Sequence, residues 1–144
     1  MGNHFMRYQV DVAADKDAVG RALTTEVGVN GWWTNQATMP DAPGGRLELT
    51  FPQVPQPFDL ELAEASPERV VWLAGSFPPF WEGTTIRWEI TDNPEGDGTR
   101  IVMTHAGWDP DNPAVGRVTQ GWGEILTRLR SFAETGDADP YFAN

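Results

Sequence analysis

The segment NPAVGRVTQGWGEILTRLRSFAETG, residues 112–136, decides the fold. Its apolar residues recur at helical spacing, at Val115, Val118, Trp122, Ile125, Leu126, Leu129 and Phe132. A proline near the start and a glycine just after the last apolar positions are typical of helix ends. The pattern predicts one long helix from about Asn112 to Thr135, with an apolar stripe that needs a large apolar partner.

Upstream of this helix, apolar and polar residues alternate in several segments, as they do in strands. A sheet built from these strands could provide the apolar partner. Residues 5–12 indicate a first strand. Asp15 is placed to cap a short helix that runs to Leu23, and a second helical turn follows around residues 25–29. Five more strands are predicted, at residues 47–51, 58–63, 69–76, 83–91 and 99–106. A six-stranded antiparallel sheet crossed by a long helix often encloses a cavity.

The length of the chain bounds its organisation. A chain of 144 residues fits one domain, 1–144, which can bury about two-thirds of its unfolded surface. No repeat or linker divides it, and residues 136–144 are interpreted as a loose tail. Seven tryptophans, seven phenylalanines and two tyrosines offer large rigid surfaces for a core, a ligand cavity or an interface.

Charge and cysteine content exclude several classes of function. The net charge of −11, from 21 acidic and 10 basic residues, repels phosphate backbones, so we expect no binding to nucleic acid or to anionic membranes. The absence of cysteine excludes disulfides, thiolate nucleophiles and cysteine metal sites. No apolar stretch approaches the length of a membrane span, and residues 1–6 lack the pattern of a signal peptide. A cytoplasmic location is the simplest expectation.

The order of the predicted elements and several local motifs resemble a known family. The motifs are Trp32-Trp33, Gly44-Gly45, GTRIVMTHAGW at residues 98–108, and Gly121-Trp122 followed by Ile125-Leu126 and Leu129. Together they are similar to the START-like (SRPBCC) proteins named after the activator of the heat-shock protein 90 ATPase. The resemblance implies an α+β helix-grip fold, in which a curved six-stranded antiparallel sheet wraps around a long C-terminal helix and two short helices follow the first strand.

Two departures from that family bear on function. The eukaryotic co-chaperones of the family carry a separate domain before the START-like one, whereas here the first predicted strand begins by Phe5. We therefore expect little chaperone activation. The second departure is Gly20, where the similar motif usually places a large aromatic side chain after Val19. Its absence would enlarge the cavity unless Trp88 or Trp122 fills the space.

A cavity in such a fold would lie between the long helix and the concave face of the sheet. Strand alternation and the helix stripe nominate the lining residues Leu49, Phe51, Leu60, Leu62, Ile86, Trp88, Met103, His105, Val118, Thr119, Trp122 and Leu126, with Leu47, Ile101 and Val115 beside them. The alternative is a solid core without a ligand, in which these residues only pack against one another.

His105 and Glu64 are the ionisable candidates for the polar end of that cavity. His105 has the same strand parity as Ile101 and Met103, and Glu64 has the parity of Leu60 and Leu62. A histidine there could orient a ligand oxygen or exchange a proton near its ordinary pKa of about 6.5, which would make affinity depend on pH. The alternatives are a structural histidine and a glutamate at the strand end in water.

Signals for catalysis and cofactors are weak. A zinc site generally needs three protein ligands, and the chain has only two histidines and no cysteine, so no metal is assigned. No nucleophile elbow or phosphate-binding glycine loop is present, so no catalytic residue and no cofactor are assigned. The segment Phe77-Pro78-Pro79-Phe80-Trp81 is interpreted as a gate at the cavity rim, a contact in a homodimer, or a lid on the core.

Three functions remain open on these grounds. The favoured hypothesis is a protein that binds a hydrophobic or amphipathic small molecule, such as a lipid or an aromatic polyketide-like compound, without catalysis. The second is an enzyme that uses the same cavity, because the wider fold resembles polyketide cyclases and enzymes that modify aromatic rings. The third is a module that recognises a chaperone or another protein. The scarcity of inward ionisable groups favours binding over catalysis.

Overall fold

The computed structural model describes residues 2–143, and its elements follow the predicted order with one addition. The helices are α1 (Lys16–Thr24), α2 (Glu26–Trp32) and α3 (Ala114–Thr135). The strands are β1 (His4–Val12), β2 (Ala37–Thr38), β3 (Arg46–Leu49), β4 (Phe58–Ala65), β5 (Arg69–Ala74), β6 (Thr85–Asp92) and β7 (Thr99–Trp108). A 3₁₀ turn at Pro79–Trp81 interrupts the chain between β5 and β6.

These strands form one antiparallel sheet in the order β1-β7-β6-β5-β4-β3-β2. The two-residue strand β2 is a seventh strand that the sequence pattern did not predict, because two residues are too few to show alternation. The α+β helix-grip architecture with two short helices and a long C-terminal helix is confirmed.

Helix α3 begins and ends close to the predicted residues. Gly136 follows its last turn with φ of 78° and donates its backbone N–H to the carbonyl oxygen of Phe132, the left-handed cap that glycine adopts without strain. Trp122, Ile125, Leu126 and Leu129 are its buried residues beyond the first turn, as the apolar stripe predicts. The helix therefore presents one face to the sheet and the short helices.

A bulge in β4 changes which side chains face the core. Leu62 pairs with Trp72, but the next pair is Glu64 with Val71, so Ala63 is an extra residue on its strand. This insertion inverts the alternation that starts at Leu60. Glu64 consequently lies on the surface, where its carboxylate is 3.5 Å from Nε of Arg69. Of the two positions that the sequence left open for Glu64, the structure shows the one at the surface, near the end of the strand.

The C-terminal residues that the sequence analysis interpreted as a loose tail are bound to the domain. The backbone N–H groups of Asp139, Tyr141 and Phe142 donate to the carbonyl oxygens of residues 31, 32 and 33 at 2.9, 3.0 and 2.9 Å. The carboxylate of Asp139 also pairs with Arg128 on α3 at 3.0 Å. Backbone groups left free at the end of α2 thus bind residues 139–142; Asn144 lies outside the described residues.

Candidate functional site

Tryptophan fills the space between α3 and the sheet. All seven tryptophan side chains are buried, at positions 32, 33, 72, 81, 88, 108 and 122. The ring of Trp122 lies 5.0 Å from that of Trp33 and 5.9 Å from that of Trp88, measured between centroids. Trp72 stacks on Trp33 at 5.9 Å. Rings of this size at these distances make a packed aromatic cluster rather than a hollow interior.

Four indole N–H groups in this cluster, those of Trp72, Trp81, Trp88 and Trp108, have no hydrogen-bond acceptor among the described residues. A buried donor without a partner costs about 1–3 kcal/mol. Each of the four rings meets another ring edge-on, with interplanar angles between 63° and 78° for the pairs with Trp88 or His105. Contacts of this kind place positive ring edges against aromatic faces and offset part of that cost.

His105 links two walls of the cluster by hydrogen bonds. Its side chain is fully buried, and its Nδ1 accepts a hydrogen bond from Nε1–H of Trp122 at 3.0 Å. Its Nε2 lies 2.9 Å from Oγ1 of Thr84, which donates to the backbone oxygen of Trp81 at 2.6 Å. Because an indole N–H can only donate and Thr84 uses its own proton on Trp81, the neutral imidazole carries its proton on Nε2.

This environment keeps His105 neutral. Burial lowers the pKa of His105 from its ordinary value of 6.5 to about 3. A second proton could bind only at Nδ1, where it would face the indole N–H of Trp122. His105 therefore has the structural place that the sequence held open as its alternative, and its tautomer leaves no ring nitrogen free to take the proton of Thr84.

An open cleft of about 390 Å³ lies beside this network, along one side of α3. Its walls come from the residue that follows α2, the loop after β3, β4, the 3₁₀ turn, α3 and the C-terminal segment. The lining residues are Trp33, Phe51, Pro52, Val54, Phe58, Phe80, Trp81, Arg117, Val118, Gln120, Gly121, Trp122, Glu124, Ile125, Tyr141 and Phe142. We call this the aromatic cleft.

The structure brings only part of the predicted lining set to the aromatic cleft. Phe51, Val118 and Trp122 line it. Eight others lie in the buried interior instead, at Leu49, Leu60, Leu62, Ile86, Trp88, Met103, His105 and Leu126. Thr119 has an exposed side chain outside the cleft, and its backbone oxygen accepts a hydrogen bond from the Tyr8 hydroxyl at 2.8 Å.

The segment of residues 77–81, which contains the 3₁₀ turn, contributes side chains to both the core and the cleft. Trp81 is 4% exposed and stacks on Trp122 with centroids 6.3 Å apart, so it closes the core. Phe80 is half-buried and faces the cleft. Of the interpretations offered by the sequence, a lid and a cleft rim both describe this segment.

Polar groups of the cleft lie mainly on α3. The guanidinium carbon of Arg117 is 5.5 Å from the centre of the Phe80 ring, a cation–π contact. Desolvation and the nearby Glu124 carboxylate raise the pKa of the Tyr141 hydroxyl. The cleft thus combines apolar walls with one cation, Arg117, and one neighbouring acid and phenol, Glu124 and Tyr141.

Sequence reasoning missed several of these residues for identifiable reasons. Tyr141 and Phe142 were assigned to the tail, although an aromatic pair in an otherwise polar segment was a signal that it packs. In the sequence, Trp33 stands out only as part of the Trp32-Trp33 motif and Phe58 only as the start of a predicted strand. Arg117 stands between two stripe positions of α3, and only the fold shows that it borders apolar surface.

Neither a metal site nor a membrane span is found among residues 2–143. No three or more His, Asp or Glu side chains of that part of the chain come together as metal ligands. No helix in it has the combined length and apolar character needed to cross a bilayer.

A long helix gripped by an antiparallel sheet, with two short helices after the first strand, defines the START-like class of helix-grip proteins. Within that class, the chain belongs to the family described as activator of Hsp90 ATPase homolog 1-like proteins, whose profile matches residues 13–134. Among curated proteins, none matches the sequence significantly.

Solved structures with the same fold cover nearly all of the chain. The Aha1 dimer from Colwellia psychrerythraea has a TM-score of 0.81 and 24% identity, and the match covers 92% of this chain and 98% of that one. A protein from Mesorhizobium loti has a TM-score of 0.75 and 20% identity, over 89% and 95%. A protein from the dynemicin biosynthetic locus has a TM-score of 0.76 and 24% identity, over 97% of this chain and 51% of its own.

Proposed function

We propose that the chain binds a small apolar or amphipathic molecule in the aromatic cleft and does no chemistry on it. The observation that carries this proposal is the cleft, whose volume of about 390 Å³ lies in the range of about 300–1,000 Å³ usual for ligand sites. Eight of its sixteen described lining residues are aromatic, and only Arg117, Gln120 and Glu124 among the others are polar. This composition suits binding of an apolar body with one polar end.

The proposal moves the site from the interior to the side of α3. The tryptophan cluster occupies the space where an internal cavity was expected, so a ligand would rest on Trp33, Trp81 and Trp122 rather than among them. The START-like family supports a ligand-binding role in general terms.

The state of His105 favours binding over catalysis. An acid–base catalyst must reach the substrate and have a pKa near the working pH. His105 does neither, since burial lowers its pKa to about 3 and both ring nitrogens are engaged behind the cleft floor. Its role in this proposal is to hold the indole of Trp122 in place.

Two glycines of α3 allow a matched test of the site. A Cβ atom added at Gly121 or Gly123 would meet no atom of another element within 4 Å, but only Gly121 lines the cleft. Leucine is a better helix former than glycine by up to about 1 kcal/mol, so both Gly121→Leu and Gly123→Leu should fold. Leucine at position 121 fills part of the cleft, whereas leucine at position 123 projects into open space.

Titration with the neutral dye N-phenyl-1-naphthylamine, followed by its fluorescence, measures the difference. We expect saturable binding to the wild type and to Gly123→Leu, and at least tenfold weaker binding to Gly121→Leu. Circular dichroism and thermal unfolding check that both variants are folded. Equal affinity of the two variants, or no saturable binding to the wild type, would overturn the proposal.

A further inference from the structure

One cation that lines the cleft has no carboxylate partner in the described part of the chain, and this suggests what the ligand carries. Among the described residues that line the cleft, Arg117 is the only base and Glu124 the only acid. Arg128 and Arg130, on the same helix, pair with Asp139 at 3.0 Å and with Glu134 at 3.3 Å. Within residues 2–143, the guanidinium of Arg117 has no carboxylate within 4.0 Å; its partner is the face of Phe80.

Glu124 does not neutralise this cation. The Tyr141 hydroxyl is near enough to Glu124 for the carboxylate to raise the pKa of the phenol. Glu124 forms no ion pair with Arg117 within 4.0 Å, so among residues 2–143 Arg117 remains a cation without a carboxylate partner. In a chain of net charge −11, an unpaired cation that borders an apolar cleft is a local exception to the overall field.

The geometry of a guanidinium favours one kind of ligand group. Its planar fork of N–H donors matches a carboxylate with two parallel hydrogen bonds. The adjacent walls are rings: Phe80 beneath the guanidinium, then Trp81, Trp122 and Phe142. Flat rings pack against other flat rings by offset stacking and edge contacts, which add to simple burial.

We propose that the aromatic cleft takes a planar aromatic carboxylate, with the carboxylate on Arg117 and the ring system on the aromatic walls. This inference rests on the proposed function and adds to it the charge and the ring character of the ligand. An aliphatic carboxylate would bind the guanidinium of Arg117 but would lack ring contacts with the aromatic walls. A neutral aromatic molecule would make the ring contacts but would lack the charged contact with Arg117.

Three probes separate these contributions. The first is 2-naphthoate, the second is 2-naphthamide, which has the same ring without the charge, and the third is decanoate, which has the charge without the ring. Isothermal titration at pH 7 gives the dissociation constant of each. We expect 2-naphthoate to bind the wild type at least tenfold more tightly than either of the other two.

Substitution of Arg117 tests the assigned contact. Arg117→Gln should bring 2-naphthoate down to the affinity of 2-naphthamide and leave 2-naphthamide within about twofold of its wild-type affinity, because the rings are unchanged. Arg130→Gln removes a cation from the same helix outside the cleft and should leave all three affinities unchanged. Circular dichroism confirms that both variants are folded.

The outcomes distinguish the two proposals. If 2-naphthamide binds and Gly121→Leu weakens it, but 2-naphthoate binds no more tightly, the carboxylate assignment fails while the cleft survives. Decanoate binding as tightly as 2-naphthoate overturns the aromatic assignment. If Arg117→Gln still prefers 2-naphthoate over 2-naphthamide as strongly as the wild type does, the role of Arg117 is overturned. If no probe binds, or if Gly121→Leu weakens none of them, the proposed function itself fails.

Discussion

At the scale of single residues, His105 shows how a titratable side chain becomes a structural one. Strand parity places it inward, and the fold then supplies a donor, Trp122, to one ring nitrogen and an acceptor, Thr84, to the other. A buried imidazole with both nitrogens engaged is neutral and has a fixed tautomer. We therefore expect His105 to make the stability of the fold depend on pH, and not the affinity for a ligand.

Replacing His105 with glutamine should remove that dependence. The pKa of His105 is about 3 in the folded chain and 6.5 when unperturbed, so between these values the unfolded chain binds a proton that the folded chain does not. The stabilisation is complete above pH 6.5 and is lost as the pH falls towards 3. For each pH unit of acidification in this window, the free energy of unfolding of the wild type falls by up to about 1.4 kcal/mol more than that of the variant.

Urea unfolding of both proteins at pH 7.0, 6.0 and 5.0 measures this difference. Glutamine is chosen because its amide retains polar groups for Trp122 and Thr84 but cannot titrate. His4→Gln is the control for loss of a histidine outside the network. Parallel stability curves for the wild type and His105→Gln over this range would show that His105 is not held neutral.

At the scale of elements, the C-terminal segment 139–142 behaves as part of the domain. Three of its backbone N–H groups bind carbonyl oxygens at the end of α2, and Tyr141 and Phe142 line the aromatic cleft. Phe142 also packs edge-on against Phe51, with ring centroids 4.9 Å apart. The segment therefore holds α2 and one wall of the cleft in a common arrangement.

Truncation after Gly136 should weaken both features. Loss of the segment leaves carbonyl oxygens of residues 31–33 without these partners and removes two aromatic walls, so we expect lower stability and at least fivefold weaker binding of N-phenyl-1-naphthylamine. Asp139→Asn is the control, because it weakens only the ion pair with Arg128, which is exposed and worth about 0–1 kcal/mol. Unchanged dye affinity in the truncated chain would mean that the segment does not shape the site.

At the scale of the whole molecule, one aromatic cluster ties the elements together. Its tryptophans come from α2, β5, β6, β7, α3 and the 3₁₀ turn, and His105 joins Trp108 to the rest with ring centroids 4.9 Å apart. A core shared by so many elements leaves none of them with a separate apolar interior. Unfolding should therefore be cooperative.

We expect tryptophan fluorescence and far-ultraviolet circular dichroism to report a single urea transition with the same midpoint. Because every tryptophan is at most 4% exposed, emission should also shift to longer wavelength on unfolding and resist acrylamide quenching in the native state. Two separated midpoints would show that part of the fold, such as the α1–α2 pair, unfolds independently of the sheet.

Much of the fold could be predicted because its signals are local. The period of apolar residues identifies α3 and most strands, Asp15 caps α1 as expected, and Gly136 ends α3. Alternation fails where the backbone departs from regularity: the bulge after Leu62 turns Glu64 outward, and β2 is too short to be seen. Neither feature has a periodic signature in the sequence.

The site depended on packing between residues that are distant in the sequence. The sequence by itself determined the order of the elements apart from β2, the buried face of most of them and the inward position of His105, because each follows from the spacing of side chains along one helix or strand. Only the tertiary structure decided that the tryptophans fill the interior and that Tyr141 and Phe142 leave the tail to line a cleft beside Arg117. The physical reason is that the position of a void depends on how side-chain volumes from many elements fit together, which no single segment encodes.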